Sequence, residues 1–363
     1  MKRIFIAATK QNDGKTTVAL GLIFNFQKKF RNIGFIKPVG QRYLEEAGFK
    51  VDEDSVLIEG SLKLCGINCR LKDMSPVAVE KGFTEKYINA PDPRPITKQI
   101  RDSFKRVAFK KDLVIIEGTG HAGVGSIFDH SNAVVARRLR SKVVLISSGG
   151  IGRPIDEIVL NKALFEKEGV KVLGVIVNKV MPEKFGKISR LIKKGLKRKG
   201  IELLGVIPYT PSLSHPTIRQ LLEETDYSLL YPSSDESLDS HVSKIVVGAM
   251  QPKDAVKYIT DHSLVITPGD REDIIRLTLD LYAKGCKAAG IVLTGDFVTG
   301  EEFIKQAKDA GIPVLLAKPD TYTTVSQIHG LTVKIRPADK EKIEIAKGLI
   351  HNYVDMNKII KGM

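Results

Sequence analysis

Tryptophan is absent from these 363 residues, and cysteine occurs only three times, at Cys65, Cys69 and Cys286. Three cysteines cannot frame a disulfide-stapled fold, and the lone Cys-x-x-x-Cys pair lacks the second half that a zinc site requires. All three thiols therefore read as reduced and buried. No window reaches the ~18 uninterrupted apolar residues of a membrane span. The first residues run straight into a strand rather than a signal peptide. A cytoplasmic chain without a membrane partner is expected. Tandem repeats and long low-complexity tracts are lacking as well.

Positive charge, by contrast, is in surplus, with a formal net charge of +15. That balance suits polyanions. Yet Lys193, Lys194, Lys197, Arg198 and Lys199 share their stretch with Ile188, Leu191, Ile192 and Leu196 at helical spacing, so they read as the wet face of an amphipathic helix. No aromatic ladder, RNA-binding signature or zinc finger accompanies them. Nucleic acid is not the expected partner, and some of the charge suits phosphorylated small ligands.

The length allows two domains. Apolar runs of strand length at Arg3–Ala8, Ile33–Pro38, Asp112–Ile116, Lys142–Ser147, Lys171–Val177 and Glu202–Pro208 alternate with helical stretches such as Thr97–Lys110 and Asp156–Glu168. Alternation of buried strands and amphipathic helices implies a parallel sheet with right-handed crossovers. The polar segment Pro232–Ser240 reads as an exposed loop or hinge. A second alternation follows: strands at Ser263–Ile266, Ala288–Thr294, Pro313–Leu316 and Leu331–Ile335, helices at Arg271–Lys284, Glu301–Ala310 and Pro337–Tyr353. The expected class is α/β: a P-loop NTPase-type parallel sheet with helices on both faces over 1–215, a second, smaller α/β domain over 216–355, and a tail over 356–363. The second domain begins somewhere between 212 and 245.

The chemical signal is concentrated at the first strand-to-helix turn. Thr9-Lys10-Gln11-Asn12-Asp13-Gly14-Lys15-Thr16-Thr17 follows an apolar strand and precedes an apolar helix, the context that a phosphate-binding loop requires. Backbone N–H groups and the helix dipole favour an anion there. Lys15 would reach the β- and γ-phosphates of ATP as a point charge, and the Thr16 hydroxyl would take one position on Mg2+. Thr9 stands where the usual first glycine would be. Lys10 lies five residues before Lys15, as in the deviant P-loops of partition and septum-placement ATPases.

Magnesium needs further hard oxygen ligands, commonly one or two carboxylates. Glu117 ends the buried run Leu113–Ile116, at the carboxyl edge where open α/β sheets bind ligands; the plainer reading is a strand-end carboxylate facing water. Asp54 competes with Asp52 for a second position, and serves equally well as a helix cap.

Together the loop Ala8–Thr16, the segment Phe35-Ile-Lys37-Pro-Val39, Asp54, Ile116-Glu117-Gly-Thr-Gly120 and Val206-Ile-Pro208 resemble dethiobiotin synthetase in order and spacing. The resemblance implies Lys15 and Lys37 as the catalytic lysines that stabilise a carbamate attacking the γ-phosphate. It also implies Thr16, Asp54 and Glu117 as the magnesium ligands and Asn178 as the adenine contact. The loop Glu117–Asp129 is longer than in the synthetases, which removes the argument for diaminopelargonate as substrate. It is instead similar to the amino-terminal region of large phosphotransacetylases. Thr267-Pro-Gly-Asp270-Arg271, Leu293-Thr-Gly-Asp296 and Lys318-Pro-Asp320-Thr-Tyr322 resemble a DRTGG domain with Asp296 at the second glycine, which implies regulation and homodimer contacts. Read to Met363, neither a phosphotransacetylase catalytic region nor an amidotransferase region is expected.

Gly118-Thr-Gly-His-Ala-Gly123 also spells G-x-G-x-x-G, but no helical pattern opens after Gly123 and no acidic residue ends the next strand, Ser147–Gly150. It is not read as a dinucleotide site. His121 and Asp129 remain candidate substrate or phosphate contacts. Two classes of function follow: an ATP- and Mg2+-dependent ATPase or phosphoryl-transfer enzyme with an unidentified small-molecule substrate and a regulatory domain, or an ATP-sensing module without turnover. A true dethiobiotin synthetase is a further alternative. The enzyme is narrowly preferred.

Overall fold

The structure, a computed structural model, describes residues 1–46, 48–64, 66–331, 333–337 and 339–363. It divides into two compact units, Met1–Tyr209 with Ile335–Met363, and Thr210–Lys334.

The first unit is built on a six-stranded sheet whose order across the sheet is Leu203–Pro208, Val172–Val180, Lys142–Ser148, Lys2–Ala8, Leu113–Glu117, Ile33–Ile36. Every neighbouring pair is parallel. The central strands are apolar and buried on both faces because each face carries helices. Phe5, Ala7, Val114, Ile116, Val143 and Leu145 meet Ile100 and Phe104 of helix Arg94–Ala108, Phe165 of helix Gly152–Lys167, and Ile192 of helix Phe185–Arg198 on one face. The alternate residues Ile4, Ile6, Ile115 and Val144 are equally buried on the other. The basic face expected around Lys193–Lys199 is solvated, while Ile188, Ile192 and Leu196 point inward.

The second unit carries a five-stranded sheet. Lys244–Val247, Ser263–Pro268, Gly290–Thr294 and Val314–Leu316 run parallel, and Ser228–Leu229 pairs antiparallel at one edge. Ile266, Val292 and Leu315 pack with Ile218 and Ile328 on one face, while Ile291, Leu293 and Val314 pack with Ile275, Leu279 and Phe303 on the other. The α/β class with a second, smaller sheet is thus what the alternation predicts.

Four expectations change. Helix Lys340–Tyr353, expected in the second domain, belongs to the first unit together with the expected tail. Its partner is helix Lys15–Phe26: a Cβ on Gly21 would lie 2.4 Å from Ile350 Cγ1 and 2.6 Å from the Ala346 carbonyl, so the glycine permits a close crossing. Asn25 Nδ2 donates to the Lys347 carbonyl at 3.0 Å. Lys2 and Lys142 donate to the Ile360 and Gly362 carbonyls at 2.8 and 2.6 Å, placing cations at the carboxyl end of the last helix. The strand expected over Leu331–Ile335 does not form at 331 or 333–335, and Thr332 lies outside the described residues. Inside the polar segment 232–240, Asp235–Leu238 forms a short helix capped by Ser234. Cys69 and Cys286 are free and half-buried rather than buried, and Cys65 lies outside the described residues. Among the described residues no helix is long and apolar enough to cross a membrane.

Candidate functional site

The order of the first sheet places Lys2–Ala8 between Leu113–Glu117 and Lys142–Ser148, and the chain reverses direction across the sheet there. This is the crevice at which open parallel sheets bind ligands. The loop Thr9–Gly14 leaves the first strand into this crevice and turns into helix Lys15–Phe26. Gly14 caps the helix with φ 89°, a conformation open to glycine, and a Cβ there would meet Asn178 Nδ2 at 2.3 Å.

Asp13 holds the loop from inside. Its buried carboxylate accepts the Thr9 hydroxyl at 2.8 Å, the Lys10 N–H at 3.0 Å and the Ser148 hydroxyl at 2.7 Å. Thr9, at the position of the missing glycine, thus ties the loop to the strand end at Ser147, and Asp13 ties it at Ser148. Asn161 Nδ2 donates to the Thr9 carbonyl at 3.3 Å. Asn178 Nδ2 donates to the Asp13 carbonyl at 2.9 Å, and its Oδ1 accepts the Lys179 N–H at 2.9 Å. One N–H and one lone pair of that amide remain for other partners. Lys179, missed from the sequence, donates to the Asn12 carbonyl at 2.7 Å, and burial lowers its pKa. Gln11 is exposed and donates to Gln41, while Thr17 is partly buried in the first turn of the helix.

Below the loop lies a buried cluster of charge. Lys37 Nζ donates to Asp54 Oδ2 and stands 3.0 Å from Asp52 Oδ1 and 3.6 Å from Glu117 Oε1. All four side chains are nearly fully buried. Burial by itself would lower the Lys37 pKa, but Asp54, Glu117 and Asp52 overcome it and hold the ammonium above its ordinary value. Thr16 donates to Glu117 Oε1 at 2.8 Å, whereas Glu117 Oε2 is buried with no hydrogen-bond partner. Burial pushes the Glu117 carboxyl up to about 7, against the pull of Lys37. Burial also lowers the Lys15 pKa, against the attraction of Glu117.

The competition between Asp52 and Asp54 resolves into two roles. Asp52 Oδ1 accepts the Asp54 N–H at 3.0 Å at the start of helix Glu53–Leu64, the bond of a capping carboxylate, and the same side chain faces Lys37. Asp54 sits in the first turn and meets Lys37 directly. The sequence offers two aspartates one residue apart, and only the folded turn decides which one caps.

These residues fit a divalent cation. Lys37 faces Asp54, Glu117 and Asp52, and Lys15 is attracted by Glu117, Asp54 and Asp13, so negative charge is in surplus around the two lysines when all are ionised. Hard oxygens at Thr16, Asp54 and the unpartnered Glu117 Oε2 are the donors that Mg2+ takes, with waters and phosphate oxygens completing its shell. Among the described residues no group of three or more His, Cys, Asp or Glu is placed to hold a metal ion, so such a site would need the threonine and phosphate oxygens.

The loop after Glu117 is braced by side chains of the neighbouring helices. Asn132 accepts the Thr119 N–H at 3.1 Å and donates to the Thr119 and His121 carbonyls at 2.7 Å each. Asn161 Oδ1 accepts the Ala122 N–H at 2.8 Å. Asp129, a candidate contact, accepts the Tyr87 hydroxyl at 2.8 Å; His130, not singled out from sequence, pairs with Thr97 at 2.9 Å. His121 is exposed and its Nδ1 accepts the Gly123 N–H at 3.2 Å. Gly123 leads into a 3-10 turn, Ser126–Phe128, rather than the α-helix that a dinucleotide fingerprint would open.

Two family models match the chain. The AAA_26 model, described as an AAA domain, covers residues 2–217, and the DRTGG domain model covers 228–331. The phosphate acetyltransferase of Pseudomonas putida is 27% identical over 98% of this chain and 51% of its own length. That of Nitratidesulfovibrio vulgaris is 25% identical over 98% and 51%. The chain spans about half the length of the curated relatives it matches. Among solved structures, the MinC:MinD cell division protein complex of Aquifex aeolicus aligns at 17% identity over 59% of this chain and 84% of that one, with a TM-score of 0.38.

Proposed function

This chain belongs to the AAA_26 family of AAA domains, and we propose that its first unit binds ATP with Mg2+ and acts as an ATPase or phosphoryl-transfer enzyme on an unidentified small molecule, under the control of the DRTGG domain. The observation that carries this reading is the buried meeting of Thr16, Glu117 and Lys37 beside Lys15, with Glu117 Oε2 left without a partner. In a soluble core such an arrangement costs several kcal/mol unless a ligand completes it.

In this reading the loop N–H groups and the amino end of helix Lys15–Phe26 receive the phosphates. Lys15, buried and short of water, is a strong point charge for the β- and γ-oxygens. Asp13 keeps the loop in shape before ligand arrives, so little ordering cost falls on binding. Thr16, Asp54 and Glu117 would hold Mg2+, which supplies neutralisation of phosphate charge when bound. Asn178, next to Gly14, has capacity left for the base.

A second reading is a nucleotide sensor without turnover. The bracing of 118–131 favours it, because Tyr87, Asn132 and Asn161 of the neighbouring helices engage polar groups of that loop that a second substrate would otherwise meet. The match to about half of proteins named phosphate acetyltransferase fits a regulatory half of such an assembly, with the chain working as a homodimer in the cytoplasm.

Calorimetric titration of ATP with Mg2+ into the unmodified chain and into Lys15→Ala tests the shared claim. Binding is expected in the first and a loss of about 100-fold in the second, the scale of about two charge-assisted hydrogen bonds. Equal binding by both would sink the site. Phosphate release measured alongside separates the enzyme from the sensor.

A further inference from the structure

The groups expected to hold the metal already hold a cation. Lys37 Nζ donates to Asp54 and lies 3.6 Å from the same Glu117 oxygen that accepts Thr16. Its ammonium therefore faces two of the three expected magnesium ligands, Asp54 and Glu117, and reaches the third, Thr16, only through the Glu117 oxygen that Thr16 also meets. A divalent ion at about 2.1 Å from those oxygens would sit within a few ångströms of the ammonium, where like charges in a buried site repel strongly. Both cannot occupy the cluster.

We propose that Lys37 is a tethered counter-ion that fills the metal position in the metal-free protein, so that entry of the divalent cation and withdrawal of Lys37 are one exchange. This rests on the magnesium-nucleotide reading of the site and adds its regulation. The backbone at Lys37 is fixed, its N–H donating to the Met74 carbonyl at 2.7 Å, but the four-carbon stem turns without moving the chain. A displaced ammonium needs a new partner, and an incoming phosphate supplies one. Metal alone then binds weakly, nucleotide alone meets a lysine held by carboxylates, and the two bind best together. By linkage each strengthens the other equally. Before metal enters, the same ion pairs keep three buried carboxylates from unbalancing the fold.

Free Mn2+ binding, read by electron paramagnetic resonance in the absence of nucleotide, tests this in the full chain. Lys37→Met is expected to tighten Mn2+ by about tenfold or more, because the competitor is gone. Lys37→Arg, which keeps the charge, is expected not to. Unchanged or weaker Mn2+ binding by a folded Lys37→Met overturns the proposal. If Lys37→Met does not fold, crystals of the unmodified protein with Mn2+ and ADP decide: Nζ beyond hydrogen-bonding distance of Asp54 is expected, and Nζ retained there overturns it. Absence of Mn2+ binding with and without nucleotide overturns the exchange together with the metal site. Bound Mn2+ with no Lys37 effect overturns the exchange alone.

Discussion

Both units end their parallel strands in loops at one sheet edge, yet the two edges treat charge in opposite ways. In the second unit the charged groups Asp320 and Arg271 have partners, although the neutral Thr299 hydroxyl is buried there without a hydrogen-bond partner. Asp320 accepts the Tyr322 and Thr323 N–H groups at 2.9 and 3.1 Å, capping helix Thr321–Gly330. Arg271 donates to the Gly248 and Met250 carbonyls at 3.1 and 3.0 Å and pairs with Asp273, partly exposed. Thr294 meets Thr321 at 2.8 Å. In the first unit the edge buries three carboxylates around one ammonium and leaves Glu117 Oε2 without a partner. Satisfied polar groups build a loop; buried charge left short of partners marks a place for a ligand.

The sharpest way to break this contrast is to remove one cation from each edge. Lys37→Met leaves buried carboxylates uncompensated and is expected to cost about 3–5 kcal/mol in the metal-free protein, with Mn2+ restoring part of it. Arg271→Met, at a solvated pair, is expected to cost no more than about 1 kcal/mol and to ignore metal. Urea unfolding of both variants measures the difference, and equal costs would erase the contrast.

Acidity sharpens it further. The folded Glu117 carboxyl is raised to about 7 from an ordinary 4.5, chiefly by burial. The folded chain therefore holds that proton more tightly than the unfolded one. Its contribution to stability is full below about pH 4.5 and is lost as pH rises to about 7, at up to about 1.4 kcal/mol per unit. Thermal melts across that window should show a decline that Glu117→Gln flattens and saturating Mg2+ reduces. A decline identical in Glu117→Gln would assign it to other groups.

The smallest effect belongs to the second edge. Asp320→Ala removes a helix cap and is expected to cost about 1 kcal/mol. ATP affinity of the full chain should stay within error of the unmodified value, as calorimetry would show.

Much of the first edge was legible because its chemistry is local. Gly14-Lys15-Thr16 lies between a strand and a helix, and Glu117 ends an apolar run, so sequence order alone brings them to one edge. What was not legible depends on distant packing. Helix Lys340–Tyr353 shows an apolar face in its sequence, but nothing in that face names its partner; the answer lies in Gly21, whose missing side chain looks like a weak point in a helix until Ile350 is placed against it. The run Leu331–Ile335 alternates like a strand but forms none over its described residues. Strand Lys244–Val247 went unread, lying directly after the polar segment 232–240. Asp13 was legible as a member of the phosphate loop but not as its brace. A carboxylate inside a phosphate loop reads as repulsion until Thr9, Lys10 and Ser148 are seen to converge on it.

The most direct test of the contrast is amide hydrogen exchange of the full chain with and without ATP and Mg2+. Slowed exchange concentrated at residues 9–17, 117–120 and 178–179, with residues 248–250, 269–271 and 295–297 unchanged, is the predicted result. Slowing centred on the second unit's loops, with 9–17 unaffected, would contradict the assignment of the nucleotide to the first edge.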